Sequence, residues 1–108
     1  MRNTFIRELV QHARKNDKIV LIVGDLGFSV VEPFAKEFPD RFINAGVAEQ
    51  NMTSIAAGMA SEGYNVFTYS IANFPTFRCA EQIRNDIDYH NLSVTIVSVG
   101  GGLAYGNL

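Results

Sequence analysis

The chain has one cysteine, Cys79, no surplus of positive charge and no long apolar run, and each shortage closes off a class of explanation. A lone thiol cannot form an internal disulfide, which fits a reducing compartment. Nine Lys and Arg against eleven Asp and Glu give a formal net charge of −2. The composition therefore offers no basic surface for nucleic acid or an anionic membrane. Apolar runs such as IVLIV, from Ile19 to Val23, fall far short of the roughly 20 residues that a membrane-spanning helix needs. The first residues also lack the apolar segment and small-residue cleavage site of a secretory leader. These features predict a cytoplasmic protein that meets small molecules or other proteins. No Gly-Asp-Gly triplet, no glycine loop of the nucleotide-binding kinds and no defensible Ser/His/Asp set is present. Asp86, Asp88 and His90 have a superficially ligand-like spacing, but a polar helix end explains it more simply than a metal site.

What is present is enough for one small domain over residues 1–108, since 47% of the residues are apolar and 19% charged. From Thr4 to Lys15 the apolar residues Phe5, Ile6, Leu9, Val10 and Ala13 recur at helical spacing, with Asn3 placed as N-cap. Ile19 to Val23 is β-branched without polar alternation, as in a strand buried on both faces. Ser29 then caps a helix over Val30 to Glu37, stopped by Pro39. A weak strand over Arg41 to Asn44 leads to a third helix from Ala48 to Ser61, closed by Gly63. Val66 to Tyr69 reads as a strand, Phe74-Pro75 as the start of a fourth helix running to about Asp86, and Ser93 to Val99 as a final strand before a glycine-rich end. Strands alternating with helices predict an α/β fold: a parallel sheet with helices on both faces. Ligands of such sheets approach the carboxyl ends of the strands, which puts Asp25, Leu26, Glu49 and the stretch Ser70 to Phe77 on one rim.

Glu49 heads the third helix, where the helix dipole alone favours a carboxylate by about 0.3–1 kcal/mol. Its surroundings call for more. The helix behind it carries Ser54, Ala56, Ala57, Gly58, Ala60 and Ser61, and Gly58 costs about 1 kcal/mol relative to alanine, so another backbone is expected to come close there. Ile71, Phe74 and Phe77 fall three residues apart and could present one partly aromatic face. Beside a carboxylate, such a face suits a flat heteroaromatic ring, held by stacking while the acid addresses a ring nitrogen.

The segments GVAEQNM and AAGMASEG, followed by F, FR and EQIRND in order, resemble the pyrimidine-binding domain of the transketolase family. That family of thiamine diphosphate enzymes also includes 1-deoxyxylulose-5-phosphate synthase and the β subunits of 2-oxoacid dehydrogenase E1 components. The resemblance runs from about Val23, through GDLGFS, to the end of the chain. It implies that Glu49, in the G-x-x-E motif, bonds the ring nitrogen of the cofactor's aminopyrimidine and activates the cofactor. Phe74 matches the aromatic that stacks on that ring, with Phe77 and Arg78 as further cofactor-pocket residues. Asp25 and Leu26 match the D-L of a loop that reaches toward the cofactor, with Gly24 where the family pattern has alanine.

The same resemblance implies what the chain would need from elsewhere. In the family a divalent metal, Mg2+, holds the diphosphate on a separate domain through a G-D-G motif, which is absent here. The expectation is a C-terminally incomplete pyrimidine domain, inactive alone and associating as a homo- or hetero-oligomer with a diphosphate-binding subunit. Complete, it would transfer two-carbon ketol units between sugar phosphates. A split transketolase small subunit fits these motifs. A fragment of a 1-deoxyxylulose-5-phosphate synthase or an E1 β subunit, and a non-catalytic remnant or interaction module, stay open beside it.

Overall fold

A computed structural model describes residues 1–103. Among these residues four strands, β1 (Ile19–Val23), β2 (Phe42–Asn44), β3 (Asn65–Ile71) and β4 (Val94–Val99), form one sheet in the order β2-β1-β3-β4. All three pairings are parallel, with Val23 beside Asn44 and beside Tyr69, and Ile71 beside Val99. The expected parallel α/β sheet is therefore what forms.

Three helices cover it: α1 (Arg2–Lys15), α2 (Glu32–Glu37) and α3 (Glu49–Ser61). A fourth segment, called α4 here, joins a 3₁₀ turn (Phe77–Cys79), one α-helical turn (Ala80–Gln82) and a π-helical run (Ile83–Asp88). Every residue of β1 is buried, because this strand has a neighbour on each side and helices on each face. Ile19, Leu21 and Val23 pack with α1, α2 and Tyr69, while Val20 and Ile22 pack with Met52, Ala56 and Ala60 of α3. The sheet thus has α1 and α2 on one face and α3 and α4 on the other. Crossovers run from β1 to β2 in one direction and from β2 through α3 to β3 in the other, so the reversal lies between β1 and β3. Doubly wound sheets bind ligands at that reversal.

Several local expectations are corrected. Asn3 lies inside α1, whose cap residue is Met1 and carries no side-chain cap bond. Ser29 is not a helix cap either. Its φ is +63°, its N–H donates to Glu32 Oε1 at 2.8 Å, and α2 starts after Val31. Phe74 and Pro75 sit in a turn before α4 rather than in a first helical turn. Gly63 does close α3 as expected. With φ at +94° it donates to Ala60 O at 3.0 Å, and Tyr64 donates to Met59 O at 3.3 Å, the paired bonds of a Schellman motif. At Gly58 nothing lies within 4 Å of where a Cβ would stand, so no backbone among the described residues approaches it. Of the expected glycine-rich end, residues 104–108 lie outside the described residues. Among the described residues no helix is long and apolar enough to cross a membrane.

Candidate functional site

The site grows from the ends of β1, β2 and β3. At the end of β2, Asn44 Oδ1 accepts from Gly46 N–H at 3.0 Å while its Nδ2 donates to Asp25 Oδ1 at 2.9 Å, tying the loops after β1 and β2 together. Gly46, at φ +75°, turns the chain, and Ala48 N–H donates to Gly46 O at 2.8 Å. This tight turn delivers Glu49 as the first residue of α3, capped by Ala48 without a side-chain bond. Residues of β3 alternate between faces. Phe67 and Tyr69 join the α1 side and Val66 the α3 side, so Ser70 points to α3 as well.

Glu49 is 3% exposed, an unusual position for a carboxylate unless it is paired. Its Oε1 lies 3.5 Å from Ser70 Oγ, which donates to it, and 3.4 Å from where a Cβ on Gly24 would be. Its Oε2 accepts from Arg78 Nη1 at 3.2 Å. The guanidinium carbon of Arg78 stands over the Phe74 ring, 4.2 Å from its centroid. The Arg78 backbone is fixed from two sides: its N–H donates to Asn73 O at 3.2 Å, and its carbonyl accepts from Gln50 Nε2 at 3.0 Å. A buried acid and an aromatic face are therefore bridged by one flat group carrying N–H donors. The slot between them is wide enough for one flat group that stacks on Phe74 and meets the Glu49 carboxyl, which is the shape and polarity an aminopyrimidine would need.

The structure brings Glu49, Phe74 and Arg78 together. Asp25 and Leu26 share the rim but face elsewhere. Asp25 is exposed at φ +56°, and Leu26 packs toward the α1 and α2 core, lining a cavity of about 250 Å³ with Val31 and Phe42. Phe77 is 84% exposed, so Ile71, Phe74 and Phe77 do not form one continuous face inside this chain. Sequence reasoning missed Ser70, the space left by Gly24 and the anchoring role of Gln50. Strand alternation alone would have found Ser70, once Val66 was assigned to the α3 side. Among the described residues no group of three or more His, Cys, Asp or Glu could hold a metal ion. Asp86 accepts instead from Ser54 Oγ at 3.1 Å.

Comparison with known proteins shows the family. The family model "Transketolase, pyrimidine binding domain" matches residues 1–107. One of the subunits of an apulose-4-phosphate transketolase from Phocaeicola vulgatus is 40% identical over 108 residues, covering 99% of this chain and 35% of that protein. A 1-deoxy-D-xylulose-5-phosphate synthase of Clostridium perfringens is 38% identical over 104 residues, covering 94% of this chain and 16% of the relative. A solved structure described as a split gene transketolase, inactive beta4 tetramer, superposes with a TM-score of 0.83 at 39% identity, covering 97% of this chain and 36% of that one. The chain thus spans about a third of the length of its apulose-4-phosphate transketolase relative. By the family model over residues 1–107 and by these likenesses, the chain belongs to the transketolase pyrimidine-binding domain family.

Proposed function

We propose that this chain provides the pyrimidine-binding part of a thiamine diphosphate enzyme that transfers two-carbon ketol units between sugar phosphates. The observation that carries the reading is the bridge from Phe74 to buried Glu49 through a flat N–H-bearing group. An aminopyrimidine ring in that place would stack on Phe74 and bond Glu49 through a ring nitrogen. Thiamine diphosphate supplies the electron sink of such transfers, and the contribution of this chain is to hold a proton at Glu49 Oε2 and to orient the ring. Ser70 holds the other carboxyl oxygen, and Gly24 lies beside it. Arg78 stands in the slot itself, exposed Phe77 offers a face to the partner surface, and Asp25 and Leu26 belong to the neighbouring loop of the rim, on the side where the remainder of the cofactor would run.

A diphosphate-binding domain or subunit with Mg2+ would complete the site, within a homo- or hetero-oligomer in the cytoplasm. Support comes from Val47, 76% exposed, and Phe77, two large apolar side chains on the rim beside Glu49, where a partner would cover them. The test is ketol transfer by the assembled enzyme. Glu49→Gln is expected to lower kcat by about 10²–10⁴-fold, the usual weight of a proton-handling group. Ketol transfer by the purified chain alone, surviving Glu49→Gln, would contradict the reading. The likeness to 1-deoxy-D-xylulose-5-phosphate synthase favours a second reading with the same cofactor contacts and a different donor; product analysis with each donor separates the two.

A further inference from the structure

We infer that Arg78 is a built-in place-holder for the aminopyrimidine ring: its guanidinium makes both contacts the ring needs, and it must swing out before the ring can enter. The inference rests on the proposed cofactor reading. Its basis is that the two contacts are made by one side chain at once. Nη1 donates to Glu49 Oε2 at 3.2 Å while the guanidinium carbon lies 4.2 Å from the Phe74 centroid. A ring stacked on that face of Phe74 would need its own centroid at about 4.5–7 Å, so guanidinium and ring cannot share the slot.

The arrangement is suited to exchange rather than to permanent closure. The backbone of Arg78 is anchored by Asn73 and Gln50, yet its side chain is 47% exposed, leaving a path into solvent without moving the helix. The physical need for a place-holder comes from Glu49. A carboxylate 3% exposed is costly to leave without a cation or a donor. Arg78 satisfies that carboxylate; once the ring takes its place, a proton shared between Glu49 and the ring nitrogen does so. Both contacts are individually modest, a half-exposed ion pair and a cation–π contact. Displacing them should weaken apparent ring affinity by roughly three- to thirtyfold, as the competent fraction falls.

The experiment titrates the chain with the methylated aminopyrimidine fragment of thiamine, following the Phe74 ring and Arg78 Nε–H signals by NMR. Arg78→Ala is expected to bind the fragment roughly three- to thirtyfold more tightly than the unmodified chain. Arg78→Lys, which keeps the charge but loses the flat face, should fall between them. In the unmodified chain the fragment should release the Arg78 side chain to solvent-like exchange. Equal or weaker binding by Arg78→Ala would overturn the place-holder, because Arg78 would then be holding the ring rather than blocking it. Glu49→Gln in the Arg78→Ala background tests the cofactor reading apart from the place-holder. Lost binding there supports the cofactor reading whatever Arg78 does. Unchanged binding, or no fragment binding by any variant, would overturn the cofactor reading and the place-holder together.

Discussion

At the residue scale, Glu49 differs from an ordinary helix-opening glutamate in where its charge is spent. An exposed carboxylate at that position would interact mainly with the helix dipole and water; this one is buried among Ser70, Gly24 and Arg78. Its place at the strand-end rim was legible from the chain order, since a glutamate following Ala45-Gly46 could only stand where β2 hands over to a helix. Its company was less legible. Ser70 and Arg78 are 21 and 29 positions away, and their approach depends on β3 lying beside β1 and on α4 folding back over α3. Tyr69 offers a separate residue-scale test. Its ring is fully buried against Phe5, and its hydroxyl finds no hydrogen-bond partner among the described residues. Tyr69→Phe should therefore leave stability unchanged or raise it by about 1 kcal/mol, read by urea denaturation. Burial also pushes the Tyr69 hydroxyl above its ordinary value near 10. The folded chain then keeps a proton that the unfolded chain releases, so stability is at its full value below about pH 10 and falls as pH rises through the raised value. In Tyr69→Phe that alkaline loss should be smaller.

At the scale of elements, the hydrophobic periodicities carried most of the information. The spacing of Ile6, Leu9, Val10 and Ala13 gave α1 its buried stripe, and all four are buried in the fold. The unbroken apolar run of β1 marked a central strand, because only a strand covered on both faces can bury five consecutive side chains. The helix starts were less legible. Ser29 and Asn3 have good capping chemistry, but the loop after β1 uses Asp25 at φ +56° and Ser29 at φ +63°, and that turn sets where α2 begins. α4 escaped a clean reading because its pitch changes twice within twelve residues, from 3₁₀ through α to π, so no single period describes it. One cross-element contact was also invisible. Arg41, the last residue of the short turn Pro39–Arg41, donates to the carbonyls of Ala13 at 3.2 Å and Asn16 at 2.9 Å. Its guanidinium also lies 4.1 Å from the Phe38 ring centroid. It thereby satisfies carbonyls at the end of α1 that have no helical partner. Arg41→Ala should cost about 2 kcal/mol, measured by urea denaturation, with Arg41→Lys recovering only part, because an ammonium cannot reach several carbonyls in one plane.

At the scale of the whole molecule, the described residues form one well-packed centre with two open borders. β2 and β4 are edge strands, and on the α1 side Phe67, Val97 and Val99 are only partly buried. A cavity of about 480 Å³ opens there between α1 and β3, lined by Phe5, Leu9 and Phe67. On the opposite face, Gly58 borders an open hollow with Ser54, Ala57 and Ser61. The expectation that a backbone approaches Gly58 is not met among the described residues, which makes a clear prediction. Gly58→Ala should stabilise the isolated chain by about 1 kcal/mol through helix propensity, measured by thermal or urea unfolding. If a partner backbone seats at that hollow, the same substitution should weaken assembly. Exposed apolar side chains at the rim and open sheet borders are together what a domain looks like when part of its packing comes from outside it.

The measurement that bears most directly on the central claim is recovery of the tagged chain from its native host, with mass analysis of stoichiometric partners and of bound small molecules. The account predicts a diphosphate-binding transketolase domain, in the same polypeptide or another, together with thiamine diphosphate that Glu49→Gln fails to retain. A chain recovered without that domain and without cofactor would contradict it, leaving Glu49 as a buried charge held by Arg78 and Ser70.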